Sequence, residues 1–387
     1  MRRHDAPFAL ALACCAWPPS EAAASAVRER TSGIDWTAFA RLLARHRIEG
    51  LAWDALARAG VAVPEPIAND LRRRAAQIAL AGLAQAASAV RLQKALDAAG
   101  IANLALKGPA LEVLAFGRLG FKSAWDIDLL VDPPDVGRAA LAMAGAGYAL
   151  ADPPGLTLDG LEAWTSLAKE CAFVARDGVV AELHWRPTDN PRLLPGIGAV
   201  GPHRSVALPG GPCLRTLPAA ETFAYLCVHG AAHGWSRLKW LADLAALLSH
   251  ETPEAIAALH DEAVALGGGV CPALALRLCQ RLFGLALPPD LSRRIGADPK
   301  VRWLDALAMA AMTGGGGAEI AERPLAGDRI LASHLLFADG WAWRRAEFRR
   351  QWTSLHDRRA LRLPGWLYSV IRIPSWIARR AARLVRP

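Results

Sequence analysis

The sequence predicts an α+β fold, a small mixed β-sheet flanked by N-terminal and C-terminal helical regions. Three observations carry that expectation. Apolar residues recur at three- and four-residue steps over the first hundred positions. Strand-length apolar runs bounded by Gly and Pro then fill the chain to Trp185, and helical spacing resumes at Pro218. These shifts divide the 387 residues into an N-terminal helical region (1–100), a sheet core (101–216), a helical domain (217–313) and a linker with basic C-terminal helices (314–387). With 53% hydrophobic and 21% charged residues, the composition is that of a folded chain and excludes disorder over most of the length.

Taken in order, Trp36, Phe39, Leu42 and Leu43, then Leu51, Ala52, Ala55 and Leu56, mark apolar helix faces, with Asp35 placed to cap the first. Pro64 and Pro66 interrupt before a second helical stretch, 67–99, which Gly100 stops. No charged cluster gathers on one face of this region, which predicts a layer that supplies no catalytic group. Ile101 to Leu106 has strand length and ends at Lys107-Gly108-Pro109, and a helix follows to Phe116. Trp125 to Val131 alternates as a strand, and Val136 to Ala146 reads as a helix. Two further runs, Cys171 to Arg176 and Val179 to Trp185, flank Asp177-Gly178, a strong hairpin signal. The Pro/Gly-rich stretch 187–212 reads as loop. Gly314 to Gly317 reads as a linker, because the Gly-Lys-Ser/Thr of a phosphate loop is missing.

Chemistry gathers at the strands. Residues two apart on a strand share a face, so Asp126 and Asp128 point one way while Ile127, Leu129 and Val131 point the other. Adjacent carboxylates repel, and a divalent cation is the usual reason to keep them together; oxygen donors suit Mg²⁺ or Mn²⁺. On the second hairpin strand Glu182 and His184 share a face, which offers a third carboxylate for a two-metal phosphoryl-transfer site. Mutual repulsion further predicts that Asp128→Asn leaves the fold intact or slightly more stable.

The order strand, Lys-Gly, helix, Asp-x-Asp strand, hairpin, Glu resembles the DNA polymerase beta-like nucleotidyltransferase superfamily. More closely, the chain is similar to a family of largely uncharacterised bacterial nucleotidyltransferases. The shared features run from Ile34-Asp-Trp and the Arg-His-Arg-Ile-Glu-Gly-Leu run through Asp-Ile-Asp-Leu-Leu-Val and Glu-Leu-His-Trp to His229-Gly-Ala-Ala-His233-Gly-Trp-Ser-Arg-Leu-Lys239-Trp-Leu-Ala-Asp243. The resemblance implies a cytoplasmic transferase that takes an NTP, with ATP the expected donor, and passes its NMP to a hydroxyl or phosphate acceptor such as a peptide, sugar or small molecule. It implies Asp126, Asp128 and Glu182 as catalytic metal ligands, with Lys107, Gly108, Lys122 and His184 at the nucleotide. It also aligns Phe8 to Trp17 with the family's first helix, against a signal-peptide reading of the apolar start. The family has Arg shortly before its Asp-x-Asp; here the nearest cation is Lys122, which lacks a bidentate fork. A non-catalytic nucleotide-binding module on the same fold is the alternative function.

His229 and His233 lie four apart, as do Lys239 and Asp243, so each pair shares a helix face. The Glu of a His-Glu-x-x-His zinc site is absent. Two readings remain: His229, His233, Trp235, Lys239 and Asp243 line the substrate cleft with Trp235 free to stack on a base, or they fix helix packing around a Lys239–Asp243 pair. Gly230 and Gly234 tilt the balance to close approach of a ligand. The net charge of +9 suits an anionic partner or simply solvates helix faces. The Arg/Trp-rich end from Trp341 invites peripheral membrane contact, although packing on the helical domain is the favoured reading. Outside the first helix, no uncharged apolar run reaches the ~18 residues needed to span a bilayer. Seven scattered cysteines without a Cys-x-x-Cys pair are expected to be buried, reduced thiols.

Overall fold

The computed structural model describes residues 6–122 and 125–352. Five helices open the chain: α1 (Ala6–Cys14), α2 (Glu21–Glu29), α3 (Trp36–His46), α4 (Glu49–Arg58) and α5 (Glu65–Ala98). Asp35 caps α3 as its spacing predicts, accepting the Ala38 amide at 2.9 Å. α1 buries Phe8, Leu10 and Ala11 and packs on α3 and α4. Among the described residues, α5 is long and apolar enough to cross a bilayer by length and composition, and its buried face, Leu71 through Leu96, packs against α4 and α7 (Val136–Gly145).

The core alternates β1 (Leu104–Ala105), α6 (Pro109–Phe116), β2 (Asp126–Leu130), α7, β3 (Tyr148–Asp152), α8 (Leu161–Thr165), β4 (Glu170–Ala175), β5 (Val180–His184), β6 (Arg204–Ala207) and β7 (Cys213–Thr216). The seven strands form one mixed sheet in the order β3-β4-β5-β2-β1-β7-β6. β5 runs parallel to β2 and antiparallel to β4 across the Asp177-Gly178 turn, while β1 is antiparallel to β2. The α+β expectation therefore holds. Three strands escape the periodicity. β3 and β6 are mostly exposed edge strands, β7 is only four residues long, and β6 lies within, and β7 directly after, the stretch whose Pro and Gly content reads as loop. The apolar run 101–106 pairs over two residues only, because the chain turns away at Lys107-Gly108.

α9 (Ala219–Ala232) and α10 (Leu238–Leu248) follow the sheet. Helices Pro253–Ala263, Cys271–Phe283, Pro289–Ala297, Pro299–Thr313 and Ala326–Ser333 complete a compact unit that ends at Ala338. All seven cysteines are free, six buried and Cys213 exposed. A second unit begins at Asp339. Its helix Trp341–Trp352 stacks Phe348 on Trp352, and Arg350 and Gln351 bond the buried carboxylate of Glu347. The basic tail beyond Trp352 lies outside the described residues.

Candidate active site

Strand register builds the site. β2 and β5 pair in parallel with Asp128 opposite Glu182 and Leu130 opposite His184, while β4 sets Glu170 opposite His184. The alternate positions, Ile127, Leu129, Ala181 and Leu183, are fully buried, so hydrophobic burial of one face fixes the polar set on the other. Ligand atoms of Asp128, Glu182 and His184 all fall within 4.8 Å of one another. At the end of β1, Gly108 takes φ +76, and this turn aims Lys107 back over β2. The Lys107 ammonium sits 2.6 Å from Asp128 and 3.6 Å from Asp126.

The electrostatics differ from simple carboxylate repulsion. Asp128 is 1% exposed. Burial disfavours its charge, but Lys107 and His184 outweigh that and hold the carboxyl well below its usual range. Burial and Lys169 would push His184 down. Glu170, 3.0 Å from Nδ1, and Asp128 and Glu182, 3.1 and 3.3 Å from Nε2, hold it up instead. The expectation that Asp128→Asn spares or improves stability is corrected here: the change would take the counter-charge from the Lys107 ammonium and the hydrogen-bond partner from His184 rather than relieve two anions.

The approach to Asp126 is held by Glu112 of α6. Its Oε1 accepts the amides of Gly120, Phe121 and Lys122 at 3.0, 2.6 and 3.0 Å. Gly50 presses on the same segment; a Cβ there would lie 2.5 Å from the Phe121 carbonyl oxygen. Lys122 is buried and paired with Asp243 at 2.6 Å, an ion pair that joins α10 to this loop, so Lys122 is not directed at a nucleotide. Spacing along one helix brings Lys239 near Asp243 but is blind to a lysine arriving from another element. Lys239 is half-buried. Its burial and the neighbouring Lys122 bring its pKa down to about 7, against the pull of Asp243.

The histidine signature divides. His229 and His233 stack along α9 with ring centroids 4.7 Å apart, and both meet Trp240, at 5.7 and 5.0 Å. Burial, then the neighbouring His233 and Lys107, hold His229 well below its ordinary range. His233 is exposed at its edge, yet desolvation by the surrounding protein, with Lys169 and Lys107, lowers it to about 4. Both are therefore neutral rings beside the carboxylates. Trp235 is not free to stack on a base. It is fully buried, and Gly230 is glycine because a Cβ there would lie 2.4 Å from the indole. Gly234, at φ +59, faces Ile330 at 2.7 Å in the same sense, so both glycines serve packing rather than a ligand.

The residues fit a divalent cation. Two carboxylates and an imidazole converge, and the far nitrogen of His184 rests on Glu170, the carboxylate–histidine arrangement that orients metal-binding imidazoles. The convergent set contains His184 where sequence placed Asp126, which lies one strand step outward and is about a third exposed. Glu170, buried Tyr225 near Lys107 and Asp128, Trp240, and Arg47 over the ring of Trp125 at 4.7 Å are neighbours that sequence missed. Glu170 lies one residue before the run Cys171 to Arg176 that reads as the first hairpin strand, and the structure extends that strand to include it.

A family model described as an uncharacterised nucleotidyltransferase matches residues 32–284. No curated protein and no solved structure matches the chain.

Proposed function

Because the chain belongs to this family of uncharacterised nucleotidyltransferases, we propose that it moves a nucleoside monophosphate from an NTP to a hydroxyl or phosphate oxygen of an acceptor. The observation that carries this reading is the in-register pairing of Asp128 with Glu182, with His184 in the same cluster. The order of Lys-Gly turn, Asp-x-Asp strand and acidic hairpin strand supports membership of the DNA polymerase beta-like superfamily as part of the same proposal.

In the reaction the acceptor oxygen loses its proton and bonds to the α-phosphorus, while the bond to the bridging oxygen breaks and pyrophosphate leaves. Asp126, Asp128 and Glu182, with His184 as a nitrogen donor, would hold a divalent cation, which would supply Lewis-acid stabilisation to the phosphoryl oxygens and acidify the attacking hydroxyl. The imidazole favours Mn²⁺ over Mg²⁺. The charge of Glu170, 3.0 Å from Nδ1, would favour a proton on that nitrogen and leave Nε2 for a bound ion. Lys107 holds positive charge beside the two aspartates and is placed to bond a phosphate oxygen. ATP is the donor we expect, and a peptide, sugar or other small molecule the acceptor.

The test uses ATP labelled at the α- or the γ-phosphate, Mn²⁺, and a small-molecule extract as the acceptor pool. Label entering product from the α position only, with pyrophosphate released, supports the reading. Transfer from the γ position, or α-transfer that persists in Asp126→Asn, overturns it.

A further inference from the structure

Arg47 lies in the helical region that sequence periodicity sets apart from the chemistry, and its surroundings say otherwise. It follows α3 at φ +55, in a left-handed turn where the Ile48 amide donates to Leu43 and the Arg47 amide to Ala44, both at 3.2 Å. That position is most often glycine, since a side chain there is disfavoured. An arginine kept at such a place needs a use for its side chain. The guanidinium makes no ion pair among the described residues. It lies over the ring of Trp125, which is 65% exposed and immediately precedes Asp126.

Its position is built rather than incidental. The preceding residue, buried His46, accepts the Leu238 amide through Nδ1 at 2.9 Å, which ties the end of α3 to the start of α10. Lys239 is the next residue on α10, and the charges of Arg47, Lys107 and Lys122 all reach it. Arg47 in turn feels Asp126. Lys122 is committed to Asp243 and Lys107 to Asp128, whereas Arg47, beside the residue that precedes Asp126, is held by a ring face alone among the described residues.

We propose that Arg47 forms the wall that takes the β- and γ-phosphates of the nucleotide, the part that leaves as pyrophosphate, so that the N-terminal helices complete the nucleotide site. This rests on the nucleotidyltransferase reading above. A guanidinium offers two parallel N–H donors to phosphate oxygens, and stacking on Trp125 holds that fork in one orientation before the ligand arrives. The indole face turned to solvent beside it stays open.

The test is equilibrium binding by calorimetry, with Mg²⁺ present, of ATP, inorganic pyrophosphate and AMP to wild type, Arg47→Gly and Arg47→Lys. Glycine suits φ +55, so Arg47→Gly should melt at or above the wild-type temperature while binding ATP and pyrophosphate at least tenfold more weakly and AMP equally well. Arg47→Lys, which keeps the charge and loses the fork, should fall between. If wild type binds ATP and both variants bind pyrophosphate as wild type does, or if AMP binding falls in step with pyrophosphate, Arg47 is not the phosphate wall and the nucleotidyltransferase reading stands. If wild type binds neither ATP nor pyrophosphate, that reading falls too.

Discussion

Asp128→Asn separates a structural account of this cluster from a purely catalytic one. In the wild type one carboxylate, 1% exposed, balances the Lys107 ammonium at 2.6 Å and the imidazole of His184 at 3.1 Å. Asparagine keeps the shape and removes the charge. Removing one partner of a buried ion pair costs about 3–5 kcal/mol, because the other is left uncompensated. Lys107 has a fallback in Asp126 at 3.6 Å, and its own side chain is 19% exposed, so the lower part of that range, about 3 kcal/mol, is expected. Urea denaturation of both proteins, without metal or nucleotide, reads this as a lower midpoint at unchanged slope. The companion measurement adds Mn²⁺ and ATP: wild type gains stability by mass action, and the mutant gains little. A mutant as stable as wild type without ligands would refute the ion-pair reasoning. One that keeps the full ligand-induced gain would refute the metal assignment.

Three further outcomes are expected. Asp126→Asn, about a third exposed and at 3.6 Å from Lys107, should change stability by less than about 1 kcal/mol yet abolish label transfer from α-labelled ATP, which makes it the cleaner probe of chemistry. Glu170→Gln should weaken Mn²⁺ binding about tenfold by loosening the orientation of His184, measured by titration calorimetry in the absence of nucleotide. His46 is held down to about 3, by burial first and by Arg45 and Arg237 next, so it stays neutral in the fold while the unfolded chain takes up a proton near its ordinary value. Its contribution is therefore complete above the unfolded pKa and is lost as pH falls. Between pH 6.5 and 5, wild type should lose about 2 kcal/mol more than His46→Asn, read from denaturation midpoints at the two pH values; parallel pH profiles would show that His46 is not the group responsible.

The polar strand positions were legible because strand alternation is a local rule: Asp126, Asp128, Glu182 and His184 follow from counting by twos, and Asp177-Gly178 announces the hairpin that carries two of them. What local rules miss are partners from distant parts of the chain. Lys122 reaches Asp243 across 121 positions, and Arg47 reaches Trp125 from a helix end that shows no apolar or charged pattern of its own. Trp235 kept two readings open for a related reason. A large aromatic beside glycines suits an open platform and a packed joint equally, and only the 2.4 Å gap at Gly230 distinguishes them. β6 and β7, at four residues each, are too short for their periodicity to show, and β3 is a mostly exposed edge strand with little apolar face to read.

The parallel pairing of β2 with β5 has a bearing on how relatives of this protein can diverge. The chain leaves β2 at Leu130 and returns at Val180, and main-chain bonds between the two strands fix Asp128 opposite Glu182 whatever lies between. Residues from Val131 to Lys169, which include α7, β3 and α8, form an excursion anchored at both ends. Lengthening, trimming or exchanging its outer turns leaves the spacing of the two carboxylates unchanged. The outer turns of the excursion are therefore uncoupled from the spacing of the two carboxylates, and chimeras exchanging those turns between relatives are the direct way to ask whether they select the acceptor.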